Sequence, residues 1–284
     1  MEESAPTSIP RPLRIAAVVA AAIALTTTFI YLGFPYDRLG PFLEGQAQAA
    51  TGARVTLGAV SASPQLLGPG IAVESLRADL GNGRPIELSR LRLRPAWSLS
   101  WLLGRPALAI DAESGTGRAG GVVTLGSAPS FQGTASELDL RTLGIESFAQ
   151  GLSLEGTADL ELSLSFAESG AEGPLHLTAR SGTLSHPAFP MAIPYDEIRG
   201  RFALGGEVSV NIESLEIDST LGQGSVTGTV GHGPSPSAAP LDLQIQLTAE
   251  PAVQAVLRAQ GIRLDRKGAG QFRVTGTASN PSVR

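Results

Sequence analysis

Leu152–Phe166 alternates without a break: Leu152, Leu154, Gly156, Ala158, Leu160, Leu162, Leu164 and Phe166 are apolar or small, and every residue between them is polar. Strand side chains point to opposite faces in turn, so this run makes a strand with one oily and one wet face. A helix would smear the leucines round its cylinder. At roughly 3.3 Å per residue the strand reaches about 50 Å, far beyond ordinary strand length. Gly156 and Ala158 leave a notch in the oily face, where the strand can bend or be approached closely.

The pattern recurs through most of the chain. Arg54–Leu57 opens the series, then Ile71–Val73 and Leu76–Leu80, with a turn expected at Gly81-Asn82-Gly83. Ile86–Leu88 and Leu91–Leu93 follow with a parity change between them, read as a bulge. Ala107–Asp111, Val122–Leu125, Leu138–Leu140, Leu175–Leu177, Val208–Ile212, Leu215–Ile217, Val226–Val230 and Leu241–Leu247 are further strands. Phe272–Ala278 is expected to be the last, ended by Asn280-Pro281. Trp97–Leu103 holds both tryptophans in a short helix or rim loop, and Gly231–Pro240 reads as a flexible connection or exposed hairpin loop. Pro251–Gln260 is helical, with Val253, Val256 and Leu257 on one face. An apolar-x-Gly-Thr-Ala/Val core recurs around Gly133, Gly156, Gly228 and Gly276, at spacings near multiples of a hairpin length.

Upstream lies a different kind of segment. Ile15–Gly33 carries no charge, and nineteen helical residues cover about 29 Å, close to a bilayer's hydrocarbon thickness. Arg11 and Arg14 precede it and Arg38 follows, which favours an inside N-terminus. The expected organisation is a cytoplasmic tail (1–14), a transmembrane anchor (15–34), a short helical connector (35–51) and a periplasmic β-rich domain (52–284). A cleaved signal peptide is the alternative reading of the first segment. The connector, Tyr36–Ala50 with Pro41 near its start, could hold the β domain to the membrane surface or cap the first sheet edge. The fold class is thus mainly β: one N-terminal transmembrane helix followed by a long, curved, mostly antiparallel one-sided sheet, a groove or open sandwich, with a few short helices.

Chemistry-bearing patterns are scarce. With a net charge of -5 and no basic stripe, no nucleic-acid partner is expected. Zero cysteines exclude disulfides and thiolate chemistry. His176, His186 and His232 lack metal-ligand spacing and read as surface or turn residues. Glu155, Asp159 and Glu161 share one strand face; a solvated face accounts for them better than a carboxylate pair. Gly205-Gly206 and Gly222-Gln-Gly224 read as hairpin glycines rather than phosphate loops. We expect no enzyme activity, catalytic residues, metal or cofactor.

The order of features resembles the type II secretion system protein N family (GspN-like). The similar pieces are the N-terminal anchor, Phe34-Pro35-Tyr36-Asp37-Arg38-Leu39, Thr51-Gly52-Ala53-Arg54-Val55-Thr56-Leu57, Leu102-Leu103-Gly104-Arg105, Gly173-Pro174-Leu175-His176-Leu177-Thr178 and Gly276-Thr277-Ala278-Ser279-Asn280-Pro281. More loosely, the chain is similar to AsmA-like β-rich envelope proteins, through a Thr-Gly-x-x-Val opening and a Gly-Thr-x-x-x-Pro ending. The first resemblance implies a structural or assembly component of a type II protein secretion system, anchored in the inner membrane and meeting other secretion subunits in the periplasm. The second implies a lipid-binding or lipid-transfer module, with phospholipid in an apolar groove. Below both lies the plain possibility that the oily faces pack on each other as a sandwich core.

Overall fold

The computed structural model describes residues 21–284 except 23–24, 27, 30, 32, 52–53, 65–68, 80–84, 98–100, 102–103, 116, 144–151, 168–169, 186–191, 206–208, 234–237 and 260–262. The expected Gly81–Gly83 turn, most of Trp97–Leu103, Gly206, His186 and the start of the expected anchor lie outside the described residues. The chain is mainly β, 63% strand, and antiparallel throughout.

A small sheet is made by β1 (Arg54–Leu57), β4 (Leu76–Asp79) and β5 (Ile86–Leu88). Everything else joins one sheet of fourteen strands. Its first members are β2 (Val60–Ala62), β3 (Ile71–Val73), β6 (Arg90–Pro95), β7 (Ala107–Ser114), β8 (Gly117–Thr124) and β9 (Ser130–Asp139). Then come β10 (Ser153–Ala167), β11 (Gly170–Ser185), β12 (Ile193–Leu204), β13 (Val210–Ser219) and β14 (Gly222–Val230), and finally β15 (Pro240–Ala249), β16 (Ala269–Thr277) and β17 (Asn280–Val283). From β6 onward each strand pairs with the next in sequence, the arrangement that alternating hairpins produce most simply.

The long alternating run is β10, fifteen residues as the sequence indicated. Gly156 bends it: its φ is +128°, and the register with β11 shifts between Glu155 and Thr157. Opposite, Ser181 of β11 has φ +47°. Tyr195 of β12 lies across this irregularity, its hydroxyl donating to the Glu155 carbonyl at 2.6 Å. A Cβ on Gly156 or Gly182 would collide with that hydroxyl, so the two glycines leave room for the ring.

Several sequence expectations are corrected. The parity change between Ile86–Leu88 and Leu91–Leu93 is no bulge within a strand; the chain leaves the small sheet at Ser89 and enters the large one. Val210–Ile212 and Leu215–Ile217 belong to one strand, β13, which absorbs a register shift between Ile212 and Leu215, while Val208 lies outside the described residues. Phe272–Ala278 is not the last strand, because the chain turns at Ala278-Ser279 and returns as β17. β12 went unread because Pro194 and a charge run interrupt its alternation. β2, only three residues long, was also missed.

Buried hydrophobic residues are few and mostly small. Leu140, in a 3-10 turn after β9, is 1% exposed and packs with Ala158, Ala179, Tyr195 and Ile198, flanked by Leu154, Leu177, Leu215 and Ile217. At the other end, a 3-10 turn (Tyr36–Arg38) leads into a helix (Leu39–Thr51) that packs on β1. Glu44 accepts a 2.6 Å hydrogen bond from the Leu57 N–H, so the connector caps the small sheet. The described residues of 21–33 are helical; among the described residues no helix is long and apolar enough to cross a membrane.

Candidate functional site: a partly exposed apolar sheet face

Register extends the two-faced character of β10 across the whole sheet. One file of paired residues runs Val60, Val73, Leu91, Ala112, Ala119, Ala135, Leu160, Leu177, Gly200, Leu215, Val226, Ile245, Phe272. The next runs Ala62, Ile71, Leu93, Ile110, Gly121, Gly133, Leu162, Leu175, Phe202, Ile212, Gly228, Leu243, Val274, Val283. Neither file contains a polar side chain. At ~4.8 Å between strands, the second spans about 60 Å.

Every Ile, Leu and Phe in that second file is only half-buried. A second layer packed at ordinary interior density would shut such side chains off from water. Aromatic rings on this face lie over glycines two residues away: Phe131 over Gly133 (and over Gly121 of β8), Phe202 over Gly200, Phe272 over Gly270. Each ring covers backbone that a glycine would otherwise leave bare. The repeated Gly-Thr motif serves no single purpose here. Gly156, Gly228 and Gly276 adopt positive φ, whereas Gly133 makes room for Phe131.

The opposite face is wet. Between the two apolar files runs Arg92, Asp111, Gly120, Thr134, Glu161, His176, Arg201, Ser214. The sequence-flagged carboxylates lie here, and two of them are engaged separately. Glu155 pairs with Arg141 at 2.9 Å; Asp159 pairs with Arg180 at 2.6 Å and accepts from the Glu137 N–H. Glu161 is exposed and stands in register with exposed His176. His232 Nδ1 lies 2.9 Å from Ser209 Oγ at a turn. Asp242 and Arg273 form a two-point pair at 2.7 and 2.8 Å, and the guanidinium hydrogen bonds hold the Asp242 carboxyl below its ordinary range. No group of three or more His, Cys, Asp or Glu suited to a metal occurs among the described residues. A wet-face depression of about 860 Å³ brings Arg92, Arg94 and Arg118 round Asp111 and Glu113, whose carboxylates sit 3.8–3.9 Å from Arg90, Arg92 and Arg94.

Burial pushes the Tyr195 phenol above its ordinary value, and burial, then Tyr31, does the same to Tyr36. Neither residue was singled out as a site in the sequence. The Gly156 notch was its only trace.

Comparison with family models, curated proteins and solved structures finds no match for this chain.

Proposed function

We propose that the protein is a lipid-binding or lipid-transfer module of the cell envelope, holding acyl chains on the apolar face of its large sheet. The observation that carries this reading is the pair of uninterrupted apolar files, in which every Ile, Leu and Phe stays half-buried while Val60, Val73 and Val274 are buried. Half-exposed leucine and isoleucine over about 60 Å is a large hydrophobic cost in water, and an acyl chain is the ligand that removes it without needing polar partners. Neither apolar file carries a charged side chain, so a headgroup would project at an edge or turn while the chain lies across the strands. Phospholipid is the proposed ligand, and the inner membrane, reached through the 15–34 anchor with the β domain on the periplasmic side, its proposed source. No nucleic-acid partner and no catalysis belong to this reading.

A second reading keeps specific support. The short motifs similar to the type II secretion protein N family point to a structural part of that apparatus. β17, exposed at all four residues, closes the sheet with an edge on which another subunit could pair. Gentle purification of the full chain after mild crosslinking separates the two. Co-purifying phospholipid supports the first reading; secretion subunits without phospholipid support the second.

A further inference from the structure

The apolar face does not stop at the end of its strands. Beyond the pair Pro95–Leu108, the Ala96 N–H bonds to Ala107 and places Trp97 one step further out. Leu125 donates its N–H to Pro106, and Phe166 donates its own to Pro129. Trp97 and Leu125 thus continue the apolar parity of β6 and β8 just past their ends, and Phe166 carries that of β10 to its last turn-side residues, at the same end of the sheet. They are 59%, 40% and 42% exposed. Trp101 stacks on Trp97 with ring centroids 4.7 Å apart and donates its indole N–H to the Ala96 carbonyl. Across residues 96–106, 125–129 and 166–171 the sequence holds only two charges, Arg105 and Glu168.

The N-terminal segment arrives at this same end. The Tyr31 hydroxyl donates to the Gly70 carbonyl and accepts from the Gly70 N–H at 3.1 Å. Gly70 precedes Ile71, whose register partner is Leu93, so this junction lies beside the part of β6 that leads to Trp97. Tyr36 in turn donates to the Tyr31 carbonyl, and the two rings meet edge to face. Just upstream, Leu25 and Phe29 are 62% and 68% exposed on a helix.

We propose that the rim formed by Trp97, Leu125 and Phe166 sits in the interface of a lipid bilayer, the same bilayer that receives the helix ending at Gly33. Amphipathic indoles with one end apolar and the other hydrogen-bonded belong at the headgroup level, and aliphatic neighbours enter the acyl boundary. A protein partner is the less fitting occupant, because exposed apolar residues flank both the rim and the incoming helix, and no complementary charge pattern surrounds them. Seated so, the sheet's apolar face opens directly onto the membrane at its Trp97 end. The placement supplies a route for the acyl chains of the proposed function, on which only this last consequence rests.

The chain contains only two tryptophans, both at the rim, so intrinsic fluorescence reports this place alone. The full chain is reconstituted in phosphatidylcholine vesicles with brominated acyl chains and compared with unbrominated vesicles. The expected result is quenched, blue-shifted emission that is lost in Leu125→Asp/Phe166→Asp, whose exposed sites leave folding intact, while flotation with the vesicles persists through the helix. Unquenched emission from floated wild-type protein overturns the rim. Quenching that vanishes in Leu162→Gln, a change inside the sheet face, also overturns it, since the quencher would then be lipid on the face. Phospholipid bound after detergent extraction tests the acyl-chain reading separately, and its absence alongside quenched tryptophans leaves the rim standing.

Discussion

Tyr195 donates its hydroxyl to the Glu155 carbonyl across the intervening strand, bridging β12 to β10 over Gly182. It closes the notch in β10 next to the best-buried cluster. Tyr195→Phe removes one partly buried hydrogen bond and leaves a carbonyl unsatisfied, which should cost about 1 kcal/mol in a denaturant titration. The same residue sets an alkaline limit. Its folded pKa is raised, so the unfolded chain, ionising near the ordinary value of 10.0, releases a proton that the fold keeps. Stability is therefore intact below pH 10 and falls as pH rises above it. Tyr36 adds a slope of the same sign, and Tyr195→Phe should flatten only part of the decline.

Gly156→Ala meets two obstacles, a φ of +128° and the Tyr195 hydroxyl. A loss of about 1–3 kcal/mol is expected from backbone strain alone. Gly224→Ala, where the added methyl finds ordinary van der Waals distances, should cost clearly less. Equal losses at both sites would contradict the notch.

Wet-face side chains should be dispensable. Alanine at His176, Glu155, Asp159 or His232 should leave lipid binding and abundance close to wild type, since Glu155 and Asp159 sit in solvated pairs, His232 at a turn and His176 at an exposed strand position. His186, whose placement lies outside the described residues, is expected to behave likewise. Complete loss of binding from one well-folded variant would reveal a site on that face.

The anchor is tested by fractionation. The full chain should stay with the membrane after carbonate washing, its β domain open to protease only from the periplasmic side. A soluble product beginning near Leu25 would replace the anchor with a cleaved leader.

How much of this was legible in the sequence follows from how each element is encoded. β10 announced itself because both of its faces alternate over fifteen residues. β15 did so for the same reason. β12 hid behind Pro194, and behind a change of parity between Tyr195 and Ile198. The files across the sheet could not be read from any one strand. They depend on the register shift near Ser214, which brings Ile212 and Leu215, residues of opposite parity, to the same face. The rim escaped for a related reason: Trp97 was visible as a loop tryptophan, but its neighbours Leu125 and Phe166 come from the ends of strands far apart in the chain. That the large sheet is a single one of fourteen strands, rather than two facing sheets, was also beyond reach of periodicity, which reports a strand's faces and not what covers them.

The most direct test is the phospholipid retained by the purified full chain, measured with protein level, for wild type, Leu162→Asp and Glu161→Lys. The two substitutions are adjacent on β10 but lie on opposite faces. Glu161→Lys alters only an exposed site and should change stability by less than about 0.5 kcal/mol. Wild type and Glu161→Lys are expected to carry phospholipid, while Leu162→Asp accumulates as folded protein without it. Loss of the Leu162→Asp protein by misfolding, with no lipid on the wild type, would mean that the apolar face is an ordinary packed core and would contradict the account.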